Sequence, residues 1–158
     1  MELFVKDMNE DFAKQILSWT YEKPYEIYNN ELSEETMREI LTNSYFAVVT
    51  IGDELVGFFC IGESAQVPIG SLFGVYNEYL IDIGIGMKPE LTGKGLGYTF
   101  FSFILNEIKA IFDQNTVRLT VLTSNTRAIH LYEKFGFIQQ KEFHQESIEF
   151  ITMVKEFN

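Results

Sequence analysis

The sequence is short of what several kinds of protein require. A single cysteine, Cys60, stands in 158 residues, so no disulfide can close within the chain. It lies in the apolar run Leu55-Val56-Gly57-Phe58-Phe59-Cys60-Ile61, which reads as a buried thiol rather than a reactive one. Basic residues are also few: 12 Lys and Arg face 23 Asp and Glu, a net charge of −11. Nucleic acids and anionic membrane surfaces are held by clustered Lys and Arg, so both are disfavoured as partners. No apolar run approaches the roughly 18 residues of a membrane span. Met1 to Phe12 has neither the basic head nor the apolar stretch of a signal peptide. Linkers, repeats and low-complexity tracts are absent as well. The chain therefore reads as soluble and cytoplasmic. Its surplus acid is either a solubility feature or the ground for a cationic small molecule or peptide as partner.

What is there points to a packed core. The chain is 46% hydrophobic and 15% aromatic, with 15 Phe and 8 Tyr, the opposite of a disordered composition. The length predicts one domain over residues 1–158.

The pattern of apolar residues orders the elements. Leu3-Phe4-Val5 predicts a strand. Asp11 to Trp19 carries Phe12, Ile16 and Trp19 at helical spacing, with Leu17 alongside. An aromatic stretch follows, which Pro24 marks as a loop with a short helix after it. Ser33, followed by Glu34 and Glu35, caps a second helix. Tyr45 to Ile51 and Glu54 to Gly62 form a hairpin across Gly52-Asp53, and residues 62–77 are irregular. Tyr79 to Met87 is a strand with Ile81, Ile83, Ile85 and Met87 on one face and Asp82, Gly84 and Gly86 on the other. Gly93 to Phe112 reads as a long helix buried on most sides. Val117 to Leu122 is a strand, Asn125 caps a helix that ends at Phe135-Gly136, and Phe137 to Phe143 pairs with Ile148 to Val154. This order predicts an α/β (α+β) fold: a mixed, mostly antiparallel sheet of about seven strands flanked by about four helices.

The segment Gly84-Ile85-Gly86-Met87-Lys88-Pro89-Glu90-Leu91-Thr92-Gly93-Lys94-Gly95-Leu96-Gly97 joins a strand to the long helix. Alternating glycines let backbone N–H groups approach a ligand, and a helix N-terminus adds donors and partial positive charge, so the segment suits a phosphate. It is not a P-loop, because Gly95 stands where the Gly-Lys pair must be followed by Ser or Thr. Nor is it a dinucleotide loop, because Tyr98 stands where the third glycine belongs. Without a nucleotide motif, the glycines could also serve only close helix–sheet packing.

Thr92-Gly93-Lys94-Gly95-Leu96-Gly97, with Asn125-Thr126-Arg127-Ala128-Ile129-His130-Leu131-Tyr132-Glu133-Lys134-Phe135-Gly136-Phe137 downstream, resembles the GNAT superfamily of acetyl-CoA-dependent N-acetyltransferases. That family's loop reads Gln/Arg-x-x-Gly-x-Gly/Ala. Gly95 and Gly97 match its glycines, and Thr92 departs at its first position. The resemblance implies the GNAT acyltransferase fold, acetyl-CoA as cosubstrate, no metal, and a primary amine of a small molecule or peptide as acceptor; a homodimer is compatible with it. It places the pantetheine arm against Ile85, Gly86 and Met87. The pyrophosphate falls on the N–H groups of Gly93, Lys94, Gly95, Leu96, Gly97 and Tyr98, and Asn125 lies beside the arm. Two other readings stand beside an active N-acetyltransferase: a catalytically silent acyl-CoA-binding module, and an acyltransferase using another acyl-CoA or an oxygen acceptor.

Direct attack of an amine on a thioester needs no protein nucleophile, in keeping with the lack of a Gly-x-Ser-x-Gly elbow. By resemblance Tyr132 is the acid for the leaving thiolate, with an aromatic core position as its alternative. Asp82 is the candidate base, with a salt-bridged aspartate as its alternative; Glu63, Glu78 and a water chain stand in reserve. A backbone N–H near Ile85 to Met87 would face the developing oxyanion. Trp19, Tyr21, Tyr25 and Tyr28, with Glu22 and Glu26, are the candidate substrate wall, because aromatics and carboxylates suit a cationic amine.

Overall fold

Two short polar residues open the first helices of the computed structural model, which describes residues 1–23, 25–113 and 116–157. After strand β1 (Phe4–Asp7), helix α1 (Glu10–Ser18) starts where the Asn9 side chain accepts the Phe12 N–H at 2.8 Å. Helix α2 (Glu34–Thr42) starts with a reciprocal box: Ser33 Oγ accepts the Thr36 N–H at 3.2 Å, and Thr36 Oγ1 accepts the Ser33 N–H at 3.0 Å. Such a cap contributes about 1 kcal/mol by satisfying amides that the helix leaves open. Strands β2 (Tyr45–Val49) and β3 (Leu55–Ile61) form the expected hairpin, closed by the Thr50 N–H on the Glu54 carbonyl at 2.9 Å. Asp53 adopts φ 63° there, a left-handed conformation that Asp tolerates better than most residues. Pro24, which the sequence reading places in a loop, lies outside the described residues.

The remaining elements are β4 (Ile81–Met87), α3 (Gly97–Ile111), β5 (Thr116–Leu122), α4 (Thr126–Lys134), β6 (Ile138–Gln145) and β7 (Ile148–Glu156). The seven strands lie in the order β1-β2-β3-β4-β5-β7-β6. β1/β2, β2/β3, β5/β7 and β6/β7 pair antiparallel, while β4/β5 is parallel over Ile81–Ile83 against Val117–Leu119. The irregular stretch after β3 is built from 3₁₀ turns at Gly62–Ala65 and Pro68–Phe73.

Contacts group the chain into two compact units, Met1–Cys60 with Ile85–Phe103, and Ile61–Gly84 with Ile104–Asn158. The division falls inside β4, after Gly84, and inside α3, after Phe103. The first unit has its core where α1 and α2 cover the hairpin: Phe12, Ala13, Ile16, Leu17 and Ile40 pack with Ala47, Val49 and Leu55. In the second unit β5 and β7 contribute Val117, Leu119, Ile151 and Met153, and Phe143 stacks on Phe150 at 5.0 Å.

The long helix starts later than its apolar pattern predicts, at Gly97 rather than Gly93. Gly93 and Gly95 have φ 71° and 76°, which a right-handed helix cannot accommodate. The four residues before α3 are therefore loop. The helix is also less enclosed than expected, since Tyr98 and Ile111 are exposed.

Candidate active site

In the first unit the glycine-bearing loop is shaped by its own backbone. β4 ends at Met87, and the Lys88 N–H bonds the Val56 carbonyl of β3 at 2.8 Å. A 3₁₀ turn over Pro89–Leu91 follows, closed by Thr92, whose N–H and hydroxyl both donate to the Pro89 carbonyl, at 3.1 and 2.7 Å. Thr92, the residue that departs from the family pattern, thus spends its hydroxyl proton inside the turn. The chain then passes through left-handed Gly93 and Gly95. The Phe100 N–H donates to the Leu96 carbonyl at 3.0 Å, the opening turn of α3. The amides ahead of Phe100, from Leu96 to Thr99, are those for which a helix offers no acceptor of its own. Lys94 is exposed beside them. The space where Gly95 would carry a side chain is open. Left-handed glycine, open space and helix-start amides are what an anionic phosphate group needs, so the residues present fit the pyrophosphate of acetyl-CoA.

Gly86 has a different reason for being glycine than ligand approach. A methyl group there would collide with the Phe58 ring, and one on Gly57 would come within 2.5 Å of the Gly86 carbonyl. The space of its missing side chain is thus filled by the protein itself. The same ring takes Trp19 and Tyr45 at centroid distances of 6.2 and 6.0 Å. Trp19 is partly buried and packs against the α1/α2 core.

The other aromatics of that segment do gather. The Tyr21 and Tyr28 rings meet edge to face at 6.5 Å. The Tyr21 N–H donates to Asn29 Oδ1 at 2.6 Å, and the Tyr25 N–H to the Glu22 carbonyl at 2.8 Å. A 3₁₀ turn over Glu26–Tyr28 completes the loop, with Glu22 and Glu26 exposed on it. The Tyr21 hydroxyl donates to the Met87 carbonyl at 2.7 Å. Burial, with the charge of Glu90 adding to it, pushes that phenol up to about 12, so it remains a donor at any physiological pH. The loop expected to form the substrate side is therefore bonded to the end of the strand expected to carry the acyl donor.

In the second unit Asp82 and Arg118 form a buried pair, only 3% and 1% exposed. Arg118 Nε donates to Asp82 Oδ1 at 2.6 Å and Nη2 to Oδ2 at 2.8 Å, the two-pronged fit of guanidinium to carboxylate. Gln66 Nε2 adds a third donor to Oδ2 at 2.8 Å. Arg118 Nη1 donates to the carbonyls of Val75 and Glu78 at 3.3 and 3.0 Å, and its guanidinium lies 5.1 Å from the Tyr76 ring centroid. The Tyr76 hydroxyl in turn accepts the Val67 N–H at 2.9 Å and shares a hydrogen bond with Thr120 Oγ1 at 2.8 Å. Asp82 is thus an ion-pair partner, the alternative its sequence position also allows: both oxygens accept hydrogen bonds and the group is closed to solvent. The sequence reading did not single out Arg118. Its signal was a lone charge in the apolar strand Val117-Arg118-Leu119-Thr120-Val121, a position that only a paired charge occupies at low cost.

Asn125 begins α4 as expected, its Oδ1 accepting the Ala128 N–H at 3.2 Å. Tyr132 is buried on that helix, its ring 6.0 Å from Phe137, and its carbonyl accepts the N–H groups of Phe135 and Phe137. Of the reserve carboxylates, Glu63 and Glu78 are both exposed. Among the described residues no cluster of three His, Cys, Asp or Glu is placed to hold a metal ion, and no helix is long and apolar enough to cross a membrane.

A family model described as the acetyltransferase (GNAT) family matches residues 11–137. A curated relative, spermidine N(1)-acetyltransferase of Vibrio cholerae serotype O1, is 26% identical over 145 residues, which are 90% of this chain and 76% of that protein. Among solved structures, a chimera of the Vibrio cholerae spermidine N-acetyltransferase SpeG with hSSAT has a TM-score of 0.69 at 20% identity, over 99% of this chain and 96% of that one. A GNAT-family acetyltransferase from Bacillus anthracis has a TM-score of 0.67 at 16% identity, over 99% and 95% of the two chains. At such identities the two structures establish the fold: a seven-stranded mixed sheet with its helices, as the element order predicts.

Proposed function

Because the chain belongs to the GNAT acetyltransferase family, and is thereby an acetyl-CoA-dependent N-acetyltransferase of a small-molecule amine, we propose that its acceptor is a polyamine, a flexible chain of amines that are cationic at neutral pH. The observation that carries this reading is the acidic aromatic loop bonded to the end of β4. Tyr21 and Tyr28 meet there, with Glu22 and Glu26 exposed alongside. Aromatic faces and carboxylates together attract a multiply charged amine. The spermidine N(1)-acetyltransferase relative and the net charge of −11 support the same acceptor chemistry.

Acetyl-CoA supplies an activated thioester; the chain's own residues bind, orient and move protons. Gly93 to Tyr98 would hold the pyrophosphate through backbone N–H groups, with Lys94 as a nearby cation. Ile85 and Met87 would line the pantetheine arm. The Met87 carbonyl has two lone pairs, and Tyr21 takes one. Asn125 would serve the arm as well as its own helix. An amine with a pKa near 10.4 must lose a proton before it attacks. With Asp82 committed to Arg118, water would carry that proton, and Glu63 and Glu78, both exposed, are the candidate carboxylates for it. A backbone N–H in Ile85 to Met87 would face the carbonyl oxygen as charge develops. Tyr132 would return a proton to the departing sulfur.

Free CoA release across a panel of amines tests the acceptor. Spermidine and spermine should be used with kcat/KM well above a monoamine, an amino acid or a peptide N-terminus. Equal use of a monoamine would overturn the polyamine reading.

The glycine loop has its own test. Acetyl-CoA at 100 times its Kd should raise the wild-type melting temperature by roughly 5–10 °C. Gly95→Asp should lose that shift, because its carboxylate would stand in the open space beside the helix-start amides and oppose the phosphate charge. A shift of undiminished size in the variant would remove the loop from the cofactor site.

A further inference from the structure

Tyr21 closes two circuits at once. Its N–H and the Asn29 side chain tie two points eight residues apart, and its hydroxyl ties that segment to Met87, 66 residues away in sequence. Within the loop the Tyr25 N–H bonds Glu22, and the Asn29 N–H bonds Glu26 at 3.0 Å. The two residues that carry the exposed carboxylates are therefore fixed through their backbones to the same frame that Tyr21 anchors. Loops stay mobile unless something ties them to a rigid element. Here the rigid element is the last residue of β4, which is itself tied to β3 through Lys88 and Val56.

We propose that Tyr21 is a positioning residue for the acceptor: its hydroxyl holds the Glu22/Glu26 loop at the end of β4, so that the loop's carboxylates meet the amine beside the acyl donor. The inference rests on the reading of this loop as the acceptor side. It predicts that the Tyr21 hydroxyl sets acceptor affinity and leaves donor affinity alone. An anchor for a loop differs from a wall of a pocket in what its loss does. Removing the oxygen leaves the ring and its packing on Tyr28 in place, but removes the hydrogen bond from Tyr21 to β4.

Tyr21→Phe should raise the acceptor KM roughly three- to tenfold, the worth of one hydrogen bond, with kcat and the acetyl-CoA KM within about twofold of wild type. Asn29→Ala opens the same loop at its other end without touching the hydroxyl, and should raise the acceptor KM in the same direction. Amide hydrogen exchange in residues 25–29 should quicken in both variants. An unchanged acceptor KM in Tyr21→Phe overturns the inference, whether or not the melting temperature falls. So does a change in the acetyl-CoA KM of equal size, which would make Tyr21 a donor-side group. The comparison uses whichever amine the wild type acetylates best. A wild type that prefers monoamines therefore sinks the polyamine acceptor while leaving this ratio measurable.

Discussion

Replacing Arg118 with methionine should cost about 3–5 kcal/mol of stability, the usual loss when one partner of a buried pair is removed. On a chain of this size that lowers the melting temperature by something on the order of 10 °C. The cause is what remains. The Asp82 carboxylate would keep only the Gln66 amide as partner in a site closed to water, and the carbonyls of Val75 and Glu78 would lose their donor. The same arginine holds three separate pieces of the 66–82 region on β5, so the loss should appear as faster exchange across residues 66–78 as well as in global unfolding.

The reverse experiment separates pair energy from clamp energy. Asp82→Leu on top of Arg118→Met removes the stranded charge and should recover most of the loss. Recovery should be incomplete, because the Val75 and Glu78 carbonyls still lack the donor they have in the native protein. Urea midpoints with an unchanged m-value would read this directly. A single-variant loss below about 1 kcal/mol would mean that the pair is solvated in a way its burial denies.

The pair also marks where the sequence stopped being readable. Local features were legible because their causes lie within a few residues: Ser33 and Asn125 cap their helices, and Gly52-Asp53 turns the hairpin. The start of α3 was misread because apolar periodicity carries no information about φ, and Gly93 and Gly95 are left-handed. Strand alternation sets Asp82 on the face of Gly84 and Gly86. What meets that face depends on the parallel register that sets Asp82 beside Arg118, and a parallel pairing 36 residues apart leaves no mark in either strand's own pattern. What occupies the space beside Gly86 is hidden for the same reason, since the ring that fills it, Phe58, comes from another strand. The aromatic loop is visible as composition, but the hydrogen bond from the Tyr21 phenol to the backbone oxygen of Met87 is not.

Tyr132→Phe should lower turnover roughly a hundredfold. The estimate sits at the low end for general acids because a thiolate is already a fair leaving group; a thiol of pKa near 8.5 needs less help than an amine. The ring should remain where it is. Tyr132 follows Ala128 by one helical turn on α4, and its ring packs on Phe137. The backbone bonds from its carbonyl to Phe135 and Phe137 do not involve the hydroxyl. The variant therefore removes one oxygen from an otherwise intact helix end. If that oxygen protonates the sulfur, kcat and kcat/KM fall together, because the interaction is made only as the bond breaks. The melting shift with acetyl-CoA should be retained, since binding the cofactor does not call on a proton donor. An amine series then gives a second reading. The loss should be of similar size for good and poor acceptors, because it belongs to the departure of the thiol and not to recognition of the amine. Wild-type turnover in Tyr132→Phe would return Tyr132 to the core as a packing residue and leave the thiolate to be protonated by water.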